Sequence, residues 1–456
     1  MDRRDFLRLS LAGSAMWLGA PFIGAAARET QEPRFLLQVV FPGGLDWSYL
    51  FDARPLEMTK RGLIQNYVNQ EPAPWGPENG LKTWASPLTN PIRPYQNYFS
   101  IVNGVMMTPN FDGHLQNLNY LLAGNPFGGP FFISGLNLDK RPLDCVHTGG
   151  FGVDVPQLSD LGGTIPLDTK SVNALSAAIR SVPAIQSDDK LVGFWARRLS
   201  AIALEGPGVF SNGSRAMATA LSKAPELMRL MKSVNPQLAT GEDELGFLPV
   251  LAEFFRKGIA QTGLVVFSKL DTRIDVHAAE AAVKQPALYA EIAQKIASVF
   301  KFLRETPYDQ GRSILDVTTV VITSEFGRTL RQVRRPIDFT GTDHNNLCNT
   351  VLIGGRGIRS GLVLGASDFQ SPDETLSPAH LQIDAGKMKF IGRPFDFAAS
   401  AIKEGYAPAA FSPRDYIGAA SVINTVYEAF GVDRVKYWPV EKDGPAAPVL
   451  KGILKG

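Results

Sequence analysis

Three of the five histidines follow an aspartate by one or two residues: His114 after Asp112, His277 after Asp275, and His344 after Asp343. Each pair lies in a polar stretch that follows an apolar run, and Asp46 and Glu325 hold the same kind of position. Imidazole nitrogens with carboxylate oxygens are the donor set of zinc, manganese and iron, whereas carboxylates alone favour calcium or magnesium. Arg328 follows Glu325 within one turn, and a guanidinium beside such an ion suits the grip of a phosphate or sulfate. Arg331, Arg334 and Arg335 share its loop and read equally well as a solvated basic surface. A lone Asp in a turn after a strand usually caps that turn or the next helix. The case for a site therefore rests on the joint occurrence. His147 and His380 have no such context and read as structural.

The elements that must position these residues are legible as short apolar runs. FLLQVVFPGG (Phe35 to Gly44), NYFSIVNGV (Asn97 to Val105), GLVVFSK (Gly263 to Lys269), DVTTVVITS (Asp316 to Ser324) and NTVLIGG (Asn349 to Gly355) have the form of buried parallel strands. Between the third and fourth, Leu288, Ile292, Ile296, Val299 and Leu303 recur at helical spacing, which predicts a long helix with one face on a core. Strand, helix, strand implies βαβ units and a mostly parallel sheet covered by helices. In such a sheet ligands gather at the carboxyl ends of the strands, where Asp46, Asp112, His114, Asp271, Asp275, His277 and Glu325 fall. The stretch from about Gly149 to Leu248 carries helical patches (Ser171 to Arg180, Ser214 to Lys232) and few strand signals, and reads as a mainly helical insertion. GGRGIRSG (Gly354 to Gly361) lacks the spacing and the Lys-Ser/Thr of a phosphate loop and reads as a turn between strands. No Ser-centred nucleophile elbow is present.

With 456 residues, 45% hydrophobic and 20% charged, the chain is long enough for one large α/β domain or two smaller ones. A net charge of +2 gives no reason to expect a nucleic-acid or membrane-surface partner. At the N-terminus Arg3 and Arg4 precede a mild apolar run rich in Gly and Ala that ends in Ala25-Ala26-Ala27. That pattern reads as a twin-arginine export signal over residues 1–27, with the Tat translocase as export partner and a periplasmic or extracellular destination. A short membrane anchor is the competing reading. Cys145 and Cys348 are the only cysteines, too few for a zinc-thiolate site, and read either as a disulfide or as two buried thiols.

Taken together, the twin-arginine leader, the Gly43-Gly44-x-Asp46 turn, the Asp275-x-His277 segment, SEFGRT (Ser324 to Thr329) and GTDH (Gly341 to His344) resemble a known family. It is the family called domain of unknown function 1501, which looks like a branch of the alkaline phosphatase and sulfatase superfamily. The resemblance implies a three-layer α/β/α sandwich, alkaline phosphatase-like, over residues 28–456. It implies that Asp46 is the first-strand metal ligand, that Asp275 and His277 are the mid-chain pair, and that Glu325 stands where sulfatases carry the carboxylate of S-D-H-G. His344, with Asp343, matches the later ligand. One ion would then sit on Asp46 and Glu325 and a second on Asp275, His277 and His344, zinc or manganese fitting best. Asp271 competes with Asp275 for its role.

Two departures stand out. His114 occupies the place of the hydroxyl or thiol nucleophile, as ligand or unusual nucleophile, with Thr108 a more distant candidate. Phe326 replaces a ligand histidine. The expectation is an exported metal-dependent hydrolase of a phosphate or sulfate ester, with an anionic small molecule or polymer as substrate and His114 and Arg328 as catalytic residues. The alternative is a non-catalytic, metal-containing binding or assembly protein of the cell envelope that recognises an anionic polymer or glycan.

Overall fold

The computed structural model describes residues 32–54, 56, 70–107, 113–123, 132–143, 145–149, 164–166, 226, 229–230, 233–234, 243–277, 284–329, 331–332, 342–369, 387–388, 390–403, 413–432 and 446–455. The twin-arginine segment, Thr108, Asp112, Arg334, Arg335, His380 and nearly all of the stretch expected to be a helical insertion lie outside them. The fold is mixed α/β with a large, mostly parallel central sheet. Its strands, in chain order, are β1 (Phe35–Val40), β2 (Phe99–Val105), β3 (Cys145–Thr148), β4 (Thr164–Pro166), β5 (Thr262–Val266), β6 (Thr318–Thr323), β7 (Asn349–Gly355) and β8 (Val363–Leu364).

The chain divides into two compact units. The smaller comprises residues 1–36, 133–149 and 155–265, and the larger 37–132, 150–154 and 266–456. In the smaller unit β3 lies between β4 and β5 and is parallel to both. In the larger unit the strand order is β8-β2-β7-β6-β1, with β8 parallel to β2. Within this order β7 runs antiparallel to both β2 and β6. NTVLIGG was expected to be parallel, and its apolar run hides the difference because a strand covered on both faces is apolar in either direction. After β7 the chain turns through Gly355 and Gly357, both at positive φ, and enters β8. GGRGIRSG is thus the expected turn between strands.

The described helices include α1 (His114–Ala123), α2 (Leu248–Lys257), α3 (Asp271–Ile274), α4 (Gln285–Glu305), α5 (Ile314–Val317) and α6 (Ala419–Ala429). The expected stripe of α4 is buried at all five positions, Leu288, Ile292, Ile296, Val299 and Leu303. Each such side chain contributes about 1.5–3 kcal/mol of burial. The helix packs in the larger unit against the 3-10 segment Pro87–Tyr98. The run from Asp316 was expected to be strand throughout, but Ser313 and Asp316 form a capping box that turns Ile314–Val317 into α5 first. A Ser with an acid three residues on exchanges hydrogen bonds with the free helix amides, which fixes that start. Cys145 and Cys348 are both buried free thiols. Among the described residues no helix is long and apolar enough to cross a membrane.

Candidate metal centre

All the site residues described below belong to the larger unit. β1 ends in a Gly43-Gly44 turn with φ of +104° and +77°, a region that glycine enters without steric cost. A Cβ on Gly44 would come within 2.1 Å of the Phe326 ring, so only glycine allows that ring to lie against the turn. Five residues after β1, Leu45 bridges in parallel to Gly327. The Gly43 amide donates to Glu325 Oε1 at 2.7 Å. Glu325 follows β6 by two residues and is fully buried, at 0% exposure. Its other oxygen lies 2.9 Å from the Ser324 hydroxyl.

Past Glu325 the chain forms a two-residue ribbon, Gly327–Arg328 against His344–Asn345, which sets His344 opposite Arg328. The Thr329 amide donates to the Asp343 carbonyl, and the Asp343 amide to Thr329 Oγ1, each at 2.8 Å. This ladder brings GTDH onto SEFGRT. On the other side α3 is a single turn closed by the Asp275 amide on the Asp271 carbonyl at 2.8 Å. Asp275 leaves that turn in a non-helical conformation and presents its carboxylate to the cluster.

Asp275 is the hub. Its Oδ1 accepts from Arg328 Nη2 at 2.6 Å and lies 3.0 Å from His277 Nε2 and 3.5 Å from His344 Nε2. Its Oδ2 lies 3.3 Å from His114 Nε2. Burial favours the neutral carboxyl, but hydrogen bonds from His114, His277 and His344 and the charge of Arg328 outweigh it and hold Asp275 well below the usual carboxylate range. His114 opens α1 and places Nδ1 2.8 Å from Glu325 Oε1. Burial lowers its pKa, yet the hydrogen bonds to Asp275 and Glu325 prevail and push it up to about 9. Burial, with the nearby Glu325 charge, raises Asp271. His277 is the most open member, at 42% side-chain exposure, and its Nδ1 lies 3.5 Å from Asp343 Oδ1.

Two donor sets meet the distance requirement for a metal ion, His114 with Asp275 and His344, and His277 with Asp343 and His344. Within each, the donor atoms all lie within 4.8 Å of one another. Nitrogen and carboxylate donors together suit a divalent metal ion. Arg328 adds the other notable feature. Its side chain is 1% exposed, and beyond Asp275 it reaches only the Ile274 carbonyl, at 3.3 Å, among the described residues. Its Nε and Nη1 are buried with no hydrogen-bond partner there.

Five of the expected ligands and catalytic residues, Asp275, His277, Asp343, His344 and Arg328, are thus brought together with His114. Asp46 and Glu325 are placed differently. Asp46 caps the 3-10 turn Trp47–Tyr49, its Oδ1 accepting from the Ser48 amide at 3.0 Å and the Ser48 hydroxyl at 2.5 Å. Burial, against the Ser48 hydrogen bonds and the charge of Arg328, pushes its pKa up to about 6. Glu325 faces Gly43, Ser324 and His114, and neither carboxylate belongs to the two donor sets.

Sequence reasoning missed two supporting roles. Phe326, read as the loss of a ligand, packs its ring 4.9 Å from His114 and 4.5 Å from His344 and walls both imidazoles. The Tyr289 hydroxyl accepts from the Asp46 amide at 2.5 Å, and its ring stacks on Tyr49 at 4.8 Å. Nothing in the helical stripe of α4 marks Tyr289 as reaching the turn after β1.

Three imidazoles and two carboxylates gathered on a mixed α/β fold, with a buried guanidinium beside them, form a candidate metal centre. Residues 214–382 match the sequence model of the family described as Protein of unknown function (DUF1501), in agreement with the motif resemblance. That span contains Asp275, His277, Glu325, Arg328, Asp343 and His344, while Asp46 and His114 lie before it. No curated protein matches the chain. Among solved structures the chain is similar to a mutant of TAB5 alkaline phosphatase with Mg bound in the M3 site. The two share 9% identity and a TM-score of 0.32 over 72% of this chain and 93% of that one, a likeness too low to carry weight for function.

Proposed function

We propose that this chain is a metal-dependent hydrolase acting on a phosphate or sulfate ester, exported by the twin-arginine route to the periplasm or beyond. The observation that carries this reading is a buried guanidinium with two unpartnered nitrogens beside a compact cluster of histidine and aspartate donors. A cation that is nine-tenths buried and under-bonded suits an oxyanion, which can accept two parallel N–H bonds. His114, Asp275, His277, Asp343 and His344 would hold the ion, zinc or manganese by donor type. When bound, such an ion polarises a phosphoryl or sulfuryl oxygen. Arg328 orients the ester through Nε and Nη1 while Asp275 fixes its third nitrogen. Phe326 keeps water off one side of His114 and His344, and exposed His277 lies on the open side.

A second reading is a non-catalytic envelope protein that binds an anionic polymer or glycan. It is favoured by the residue at the nucleophile's place: His114 offers neither hydroxyl nor thiol, and carboxylates lie against both its ring nitrogens, at 2.8 Å and 3.3 Å. Elemental analysis of the mature protein, followed by a screen of aryl phosphates and sulfates with zinc and manganese, separates the readings. Stoichiometric metal with turnover lost in H114A supports the hydrolase. Metal without turnover of any ester supports the binder. Absence of bound metal, with no thermal shift on adding either ion, overturns both.

A further inference from the structure

We infer that Glu325 is not a metal ligand but the positioning residue of one, and that the chain holds a single ion to which His114 presents Nε2. The inference rests on the metal reading above and divides the work differently from the motif resemblance, which places one ion on Asp46 and Glu325. The Glu325 carboxylate is already engaged at both oxygens. Oε1 accepts from the Gly43 amide at 2.7 Å and lies 2.8 Å from His114 Nδ1, and Oε2 lies 2.9 Å from the Ser324 hydroxyl. It is 0% exposed, so a ligand role would strip a buried amide of its partner. Asp46 Oδ1 is likewise taken by Ser48.

By contrast His114, Asp275 and His344 form a donor set, and the His114 nitrogen that faces Asp275 is Nε2, on the opposite side of the imidazole from Glu325. A carboxylate on one ring nitrogen fixes the proton there, leaves the lone pair on the other, and strengthens it as a donor. Glu325 therefore does for His114 what a ligand's outer carboxylate does in other metal sites. Gly43 holds Glu325 in turn, which gives the Gly-Gly turn after β1 a role at the centre without contributing a ligand.

Two measurements on the zinc-loaded full chain test this. Selective ¹⁵N-histidine NMR of the five histidines should show His114 protonated at Nδ1 and metal-bound at Nε2. Binding at Nδ1, or a His114 untouched by zinc, overturns the inference. The second is a double-mutant cycle on zinc affinity. Glutamine keeps an oxygen for Gly43 and His114 and turns its amide toward Ser324 Oγ, so E325Q preserves the packing. E325Q should weaken zinc about 10–100-fold while keeping one ion per chain. In an H114A background E325Q should cost nothing further. An equal loss in both backgrounds, or two ions per wild-type chain, refutes the positioning role while leaving the metal reading intact. A wild type that binds no zinc refutes the metal reading itself.

Discussion

Replacing Arg328 with methionine separates a structural arginine from one kept for an anion. The side chain is 1% exposed, and its ties among the described residues are the 2.6 Å bond to Asp275 and a 3.3 Å contact with the Ile274 carbonyl. Losing the charged hydrogen bond costs about 1.5–3 kcal/mol. Against that, R328M removes two buried, unpartnered donors, Nε and Nη1, each of which costs about 1–3 kcal/mol to leave unsatisfied. Methionine fills much of the same volume with a flexible apolar chain. The two sides nearly cancel, so metal-free R328M should unfold within about 1–2 kcal/mol of wild type. An ordinary buried ion pair broken from one side would lose about 3–5 kcal/mol. The urea midpoint at unchanged slope reads this difference. In the same protein, affinity for inorganic phosphate or sulfate with zinc present should fall at least tenfold, about 1.4 kcal/mol. A stability loss above about 3 kcal/mol with anion affinity intact would show that Arg328 only braces Asp275.

Other outcomes follow from the same geometry. G44A should destabilise the chain by about 2–5 kcal/mol, combining a left-handed Cβ penalty with overpacking against the buried Phe326 ring; thermal melts check it. Zinc at about 100 times its dissociation constant should stabilise the chelator-treated wild type by about 2.7 kcal/mol and should leave D275A unmoved in a thermal-shift assay. Asp46 supplies a pH test in metal-free protein. A carboxyl raised from 3.8 to about 6 contributes stability below its ordinary value and loses it as pH rises through about 6. D46N, which cannot ionise, should therefore gain on wild type across that window in denaturant titrations, and a flat difference would count against the burial of that carboxylate. Cys348 is buried, and burial with the Asp52 charge raises its thiol pKa, so alkylation should be slow in native protein and fast once unfolded.

Much of the architecture was legible because local rules produce it. Five apolar runs announced five strands, and the 3.6-residue stripe from Leu288 to Leu303 announced α4, since burial of one face leaves a periodic trace. The direction of β7 left none, because side-chain alternation is the same whichever way a strand runs. β6 begins only at Thr318, because the Ser313–Asp316 capping box competes with strand propensity before it.

At the centre the residue types were fixed by sequence and their duties by tertiary contact. Asp275, His277, Asp343, His344, His114 and Arg328 could be picked out as donors and cation because few side chains can do that chemistry. Which of them meet depends on a ribbon joining Arg328 to His344 and on a one-turn helix releasing Asp275, and both are long-range placements. Glu325 shows the difference most clearly. As a residue it is a ligand by type, but the Gly43 amide and the His114 ring, 282 and 211 positions away, take up its Oε1. Hydrogen bonds made across such distances have no periodicity along the chain, so only the folded structure decides between a ligand and the residue that aims one.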